Sequence, residues 1–153
     1  MSILSDSLLL KDIHLHLKAS NPPDALEEII ASFRSDRRVR DWEKLRSALI
    51  ANSGRETSGE CAGKMLLHHA RTESVTALIL AAGRRDGGLI SSGPGNQARL
   101  VFVAIIPEAM NNEYLRILGA IARVCREEDH LKALLEAGDQ NQFLSQLEQG
   151  CRQ

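Results

Sequence analysis

The sequence predicts an α+β fold, a three-layer α/β/α sandwich in which a mixed central sheet carries helices on both faces. Two observations predict it. Leu100-Val-Phe-Val-Ala-Ile-Ile106 is an unbroken apolar run rich in β-branched residues, the pattern of a central strand covered on both sides. Toward both ends of the chain, apolar residues recur at helical spacing, so helices flank the strands in sequence and must cover them in space. The expected order is strand, two helices, three strands, three helices. With 153 residues the chain suits one hydrophobic core, and residues 1–153 are expected to form a single domain.

Each element has its own local signal. Ile13, Leu15 and Leu17 alternate with His14, His16 and Lys18, the period of a half-buried strand. Asn21 can cap a helix that begins at Pro22 and runs through Ala25, Leu26, Ile29, Ile30 and Phe33. A second helix is expected over about 41–51, with Trp42, Leu45, Leu49 and Ile50 inward and Asn52 and Gly54 at its stop. The chain turns apolar again at Met65-Leu66-Leu67, and a further strand is expected over Val75 to Ala82. Gly83 to Ala98, with five glycines, reads as a mobile loop. After the central strand, Leu115, Leu118, Ile121, Ala122 and Cys125 form one helical stripe between about 111 and 126. Leu131, Leu134 and Leu135 mark a helix that stops at Gly138, and Asp139 caps a last one carrying Phe143, Leu144 and Leu147.

Composition excludes several classes of function. The formal net charge is -1 and aromatic residues make up 3%, so neither a basic field nor stacking platforms point to nucleic acid. No stretch approaches the roughly 20 apolar residues that span a bilayer, and no basic segment with a small-residue cleavage site opens the chain. Three cysteines, widely spaced and without a CxxC pair, fit free thiols in a reducing compartment. A cytoplasmic protein of a bacterial cell, with no membrane insertion, is expected.

Several short stretches stand in a definite order. Lys18-Ala19-Ser20 precedes Asp24-Ala25-Leu26-Glu27-Glu28; Arg55-Glu56-Thr57 leads into the glycine-containing segment 57–64; His69-Ala70-Arg71 follows; the strand at Leu100 to Pro107 comes before Glu113-Tyr114-Leu115-Arg116-Ile117-Leu118. In that order and spacing the chain resembles the fructose/mannitol-class enzyme IIA domains of the phosphotransferase system, close to their nitrogen-regulatory branch. The resemblance covers about Ser7 to Leu147. It implies that His69 accepts a phosphoryl group from an HPr-like phosphocarrier protein, with Arg55 as the active-site arginine. Tyr114 stands where the family has a second active-site histidine. His68 replaces the usual proline, and the 57–64 loop is shorter and less glycine-rich than the family's. The resemblance therefore leaves two functions open: a phosphoryl carrier, or a binding module that regulates a target protein by contact alone.

Elementary chemistry is compatible with the first. A neutral imidazole is a good nucleophile near pH 7, and phosphoryl transfer needs positioning and charge neutralisation more than covalent help. Arg55 and Arg71 are the cations at hand for phosphoryl oxygens, and backbone N–H groups between Gly59 and Gly63 can form an anion nest. Histidine-to-histidine transfer requires no metal and no organic cofactor. Without the resemblance, His69 reads as an ordinary partly buried histidine, Tyr114 as a packing residue and Arg55 as a surface charge.

Other patterns fail on spacing. Gly59-Glu60-Cys61-Ala62-Gly63-Lys64 is one residue short of a nucleotide-binding P-loop, and Met65 occupies the position of its Ser or Thr. His14, His16, His68 and His69 lack zinc-ligand spacing. Arg34, Arg37, Arg38 and Arg40 read as a solvated basic connection between two helices, or as a contact for an acidic partner.

Overall fold

The structure is a computed structural model that describes residues 3–52, 65–90 and 97–151. Along the chain run α1 (Ile3–Ser7), β1 (Leu8–His14), α2 (Pro22–Ala31), α3 (Trp42–Asn52), β2 (Met65–Thr72), β3 (Ile79–Ile90), β4 (Gln97–Pro107), α4 (Asn111–Arg126), α5 (Glu128–Glu136) and α6 (Gln140–Cys151). The strands form one sheet in the order β1-β3-β4-β2. β1 lies parallel to β3 and β2 parallel to β4, while β3 and β4 are antiparallel, so the sheet is mixed. The expected element order holds, with the short α1 added in front.

The two-residue period of β4 divides the core. Leu100, Phe102, Ala104 and Ile106 face a cluster completed by α4, α5 and α6, including Ile117, Ile121, Leu134 and Phe143. Val101, Val103 and Ile105 face the other way, into a cluster with Ala25, Leu26, Ile29, Ile30, Leu45 and Leu49 of α2 and α3. This strand is buried along 101–106, which is why its sequence is continuously apolar rather than alternating. The α/β/α sandwich follows from these two clusters.

Local signals at the helix ends are obeyed. The Asn21 Oδ1 accepts from the Asp24 N–H at 2.9 Å, with Pro22 in the first turn of α2. The Asp139 carboxylate accepts from the Gln142 N–H at 2.7 Å at the start of α6.

Long-range packing corrects several expectations. The first strand ends at His14 rather than continuing through Leu17, although Leu15 and Leu17 are still buried. The Leu17 N–H instead donates to the Arg84 carbonyl at 3.0 Å. Val75 makes only an isolated bridge with Val39, and β3 begins at Ile79.

The segment read as a loop over Gly83 to Ala98 is largely strand. β3 continues to Ile90, β4 starts at Gln97, and Leu89 pairs with Ala98. The register shifts between Arg84 and Leu89, where Gly88 has φ 84°. Glycine here marks a bulge inside a hairpin rather than a break in the sheet. Gly83 answers a different need: a Cβ there would stand 2.8 Å from both Leu17 Cδ1 and Ile29 Cδ1, because α2 packs directly on the strand.

Three apolar residues expected inside are outside, Ala122 of α4 among them. Ile50 is 39% exposed and Leu115 is 67% exposed. The buried stripes run through Leu45 and Leu49 on α3 and through Ile117, Ala120, Ile121, Val124 and Cys125 on α4, so these positions lie to one side of the core faces.

Two buried charges, Asp12 and Arg84, tie elements together. Arg38 bonds Asp12 Oδ2 at 2.9 Å and also binds Asp36, which Lys11 reaches at 2.8 Å. The Asp36 carboxyl is held well below the carboxylate range, chiefly by the Arg38 guanidinium. Thus one arginine of the basic connection is a structural tie to β1, while Arg34 lies over the Trp42 ring at 3.9 Å. Arg84, buried in β3, donates through Nη1 to the carbonyls of Leu134 (3.0 Å) and Ala137 (2.8 Å) and so satisfies the C-terminal turn of α5.

Candidate functional site

β2 is an edge strand, and its alternation decides what His68 and His69 can do. Met65 and Leu67 pack into the cluster under α4–α6, whereas Leu66 and Ala70 pack toward α2 and α3. By the same period of two, His69 and Arg71 share the α4 face, and His68 faces the other layer. The adjacent histidines therefore lie on opposite sides of the sheet.

On the α4 face, three side chains converge. The Tyr114 hydroxyl, from the first turn of α4, is 2.9 Å from His69 Nδ1. The two rings meet edge to face with centroids 5.6 Å apart and an interplanar angle of 61°. Arg71, two residues beyond His69, places its guanidinium 5.4 Å from the centre of the Tyr114 ring. The site sits toward the carboxyl ends of the parallel strands β2 and β4, where α4 begins after Pro107.

Tertiary structure adds a fourth residue. The Asn52 side-chain amide, on the last residue of α3, donates to the His69 carbonyl oxygen at 2.9 Å. An edge strand leaves some backbone groups without a neighbouring strand, and Asn52 satisfies one at this residue. In the sequence Asn52 reads only as a helix stop. Nothing local signals a contact 17 residues away, because that contact exists only once α3 lies against β2.

His68 behaves differently. It is 7% exposed, its Nε2 has no hydrogen-bond partner, and burial with the neighbouring His69 pushes its pKa down to about 4. At pH 7 it is neutral, and its face of the sheet separates it from the Tyr114–His69 pair. Beyond the end of β2, Lys44 pairs with Glu73, and Ser47, Arg71, Thr72 and Glu108 line a shallow cavity of about 630 Å³.

Of the residues the sequence nominated, His69, Tyr114 and Arg71 are thus brought together. Arg55, Gly59 and Gly63 lie outside the described residues. Among the described residues no group of three or more His, Cys, Asp or Glu side chains could hold a metal ion. Among them, too, no helix is long and apolar enough to cross a membrane.

Residues 7–150 match the family model "Phosphoenolpyruvate-dependent sugar phosphotransferase system, EIIA 2". The chain belongs to this enzyme IIA family. It is 30% identical over 129 residues to the fructose-specific EIIA component of Haloferax volcanii, covering 80% of this chain and 83% of the relative. It is 24% identical over 147 residues to the fructose-specific EIIABC component of Bacillus subtilis. That alignment takes in 95% of this chain but only 23% of the longer relative. The fold is shared with the nitrogen regulatory protein IIA-Ntr of Neisseria meningitidis, at a TM-score of 0.83 and 18% identity, covering 95% of this chain and 99% of that one. The enzyme IIA fold so identified agrees with the sandwich expected from the sequence.

Proposed function

We propose that this enzyme IIA protein is a phosphoryl carrier or regulator that accepts a phosphoryl group on His69 from a phosphohistidine of an HPr-like carrier. The observation that carries this reading is the 2.9 Å contact between Tyr114 Oη and His69 Nδ1. Only one imidazole nitrogen holds a proton in the neutral ring. When Nδ1–H donates to Tyr114 Oη, the lone pair is on Nε2, which becomes the nucleophile. In the transfer, the donor's N–P bond breaks as an Nε2–P bond forms. Nδ1 keeps its proton throughout, and the phenolic oxygen accepts from it while the ring gains positive character.

Arg71, on the same face, supplies positive charge beside the incoming phosphoryl oxygens. Arg55 and the backbone around Gly59 and Gly63 are proposed to complete the phosphate site. The donor is proposed to be a protein because the implied currency is phosphohistidine, and no metal or organic cofactor enters the step. Cytoplasmic residence follows from that donor. The likeness to IIA-Ntr supports a place in the nitrogen-regulatory branch, and the fructose-specific relatives support sugar transport.

A second reading rests on Tyr114 itself. A tyrosine cannot carry the positive charge that the family's second histidine can, and this favours a module that regulates a target protein by contact without phosphorylation. The two readings separate in one experiment. The purified protein is incubated with phosphoenolpyruvate, enzyme I and HPr beside a His69→Ala control, and intact mass is read. One added phosphoryl group, absent from the control, supports the carrier. No gain, with a standard enzyme IIA labelled in the same tube, supports the contact-only module.

A further inference from the structure

We propose that the groove between α4, α1 and α6 is a docking surface for an acidic, amphipathic helix of a partner protein. It does not depend on whether His69 is phosphorylated. The groove encloses about 380 Å³ and is lined by Leu115, Arg116, Gly119 and Arg123 of α4, with Ile3 of α1 and Cys151 at the end of α6. On this flank of α4, Leu115, Arg116, Gly119 and Arg123 are all exposed, and among the described residues no other helix packs over them.

Three features point to an occupant. Leu115, at 67% exposure, offers a large apolar side chain to solvent on a helix whose other face is well packed. Gly119 follows one turn later, and a Cβ built on it would meet nothing within 4 Å. Leu115, Gly119 and Arg123 thus form a ridge, a hole and a second ridge spaced four residues apart. An apolar knob from a second helix fits such a hole.

The third feature is charge. The Arg116 and Arg123 side chains make no ion pair or hydrogen bond among the described residues, on a chain whose formal net charge is -1. Arg123 lies in the last turn of α4, where the helix dipole accounts for a cation. Arg116 lies mid-helix, where the dipole gives no such reason. Two unpaired guanidiniums beside the exposed Leu115 and the gap at Gly119 make a mixed polar and apolar groove, which selects a helix with an apolar stripe bordered by Asp or Glu that can meet each fork with two oxygens. Besides Leu115, the exposed large apolar side chains of the described residues are Leu9 and Leu10 on β1 and Ile50 alone on α3, so none forms an exposed apolar helical stripe, and the surface is assigned to a different protein rather than a second copy.

The test is a titration of the ¹⁵N-labelled full chain with a synthetic helical peptide carrying Leu at every fourth position between glutamates. A peptide with lysines in place of the glutamates is the control. The glutamate peptide is expected to shift the amides of 115–123 and to bind several-fold more weakly as salt rises from about 50 to 300 mM. Combined Arg116→Glu and Arg123→Glu substitution should transfer the preference to the lysine peptide. Gly119→Leu, on an exposed position, should fill the hole and weaken binding about tenfold with an unchanged circular dichroism spectrum. Equal binding of both peptides, shifts mapped elsewhere, or no saturation up to about 1 mM would overturn the proposal. So would a concentration-dependent dimer that Leu115→Glu abolishes, since a second copy would then cover the groove.

Discussion

His68 gives the most direct link between burial and a measurable stability. Its side chain is buried, its Nε2 is unpartnered, and its pKa in the folded protein is about 4 against an ordinary value of 6.5. The folded state disfavours the proton and the unfolded chain does not. Between the two values the unfolded chain therefore binds more protons, and stability falls as pH falls. The contribution is fully present above pH 6.5 and is lost progressively down to about pH 4. At about 1.4 kcal/mol per pH unit, the full interval is worth about 3 kcal/mol, of which about 2.5 kcal/mol is gone at pH 4.5. Asp36, with a depressed carboxyl, loses its stabilisation only below the ordinary carboxylate range and leaves this window nearly untouched. His14 is also lowered by burial and adds a loss of the same sign.

A variant isolates the His68 share. Urea unfolding of wild type and His68→Leu is measured at pH 7.5, 5.5 and 4.5. Wild type should lose about 2.5 kcal/mol more than the variant between the end points, with about half of that excess already lost at pH 5.5. At pH 7.5 the variant should match or exceed wild type, because leucine removes a buried nitrogen that has no partner. Parallel pH profiles for the two proteins would refute the reasoning and mean that His68 is protonated, or solvated, in the folded state.

Four further outcomes are expected. Tyr114→Phe should slow phosphorylation of His69 about tenfold, the equivalent of one lost hydrogen bond, while leaving the melting temperature within a few degrees; quenched-flow labelling by phospho-HPr checks it. Asn52→Ala should destabilise the protein by about 1 kcal/mol and speed hydrogen exchange within β2 more than within β4, read by mass spectrometry. Arg38→Ala leaves Asp12 buried with its main partner gone and should cost about 3 kcal/mol in denaturant unfolding, an effect that Lys11, at 3.4 Å, only partly offsets. Arg84→Met strands the carbonyls of Leu134 and Ala137 and should cost about 2–3 kcal/mol, with exchange rising first at the end of α5.

What the sequence by itself determined were the features whose causes lie within a few residues. The Asn21 and Asp139 caps, the start of α2, the extent of α4 and the two-sided burial of Leu100 to Ile106 all follow from local hydrogen bonds and periodicity, and each is found in place, although α2 ends at Ala31 rather than running through Phe33. His69 and Arg71 on one face of a strand are likewise a matter of spacing two residues apart. Tertiary structure alone decided which surfaces have neighbours. The glycines between Gly83 and Ala98 favour a loop locally, yet pairing with β4 carries β3 through to Ile90, because ladder hydrogen bonds outweigh their poor strand propensity. Leu115 and Ile50 have the apolar character of core residues but lie off the faces that the assembled layers bury, Ile117, Ala120, Ile121 and Val124 on α4 and Leu45 and Leu49 on α3. The histidine pair shows the same division: alternation sends His68 and His69 to opposite faces, but only the assembled layers bury the first and set Tyr114 against the second. Local chemistry is written in adjacent residues, whereas burial and partnership depend on chain segments far apart in sequence that meet only on folding.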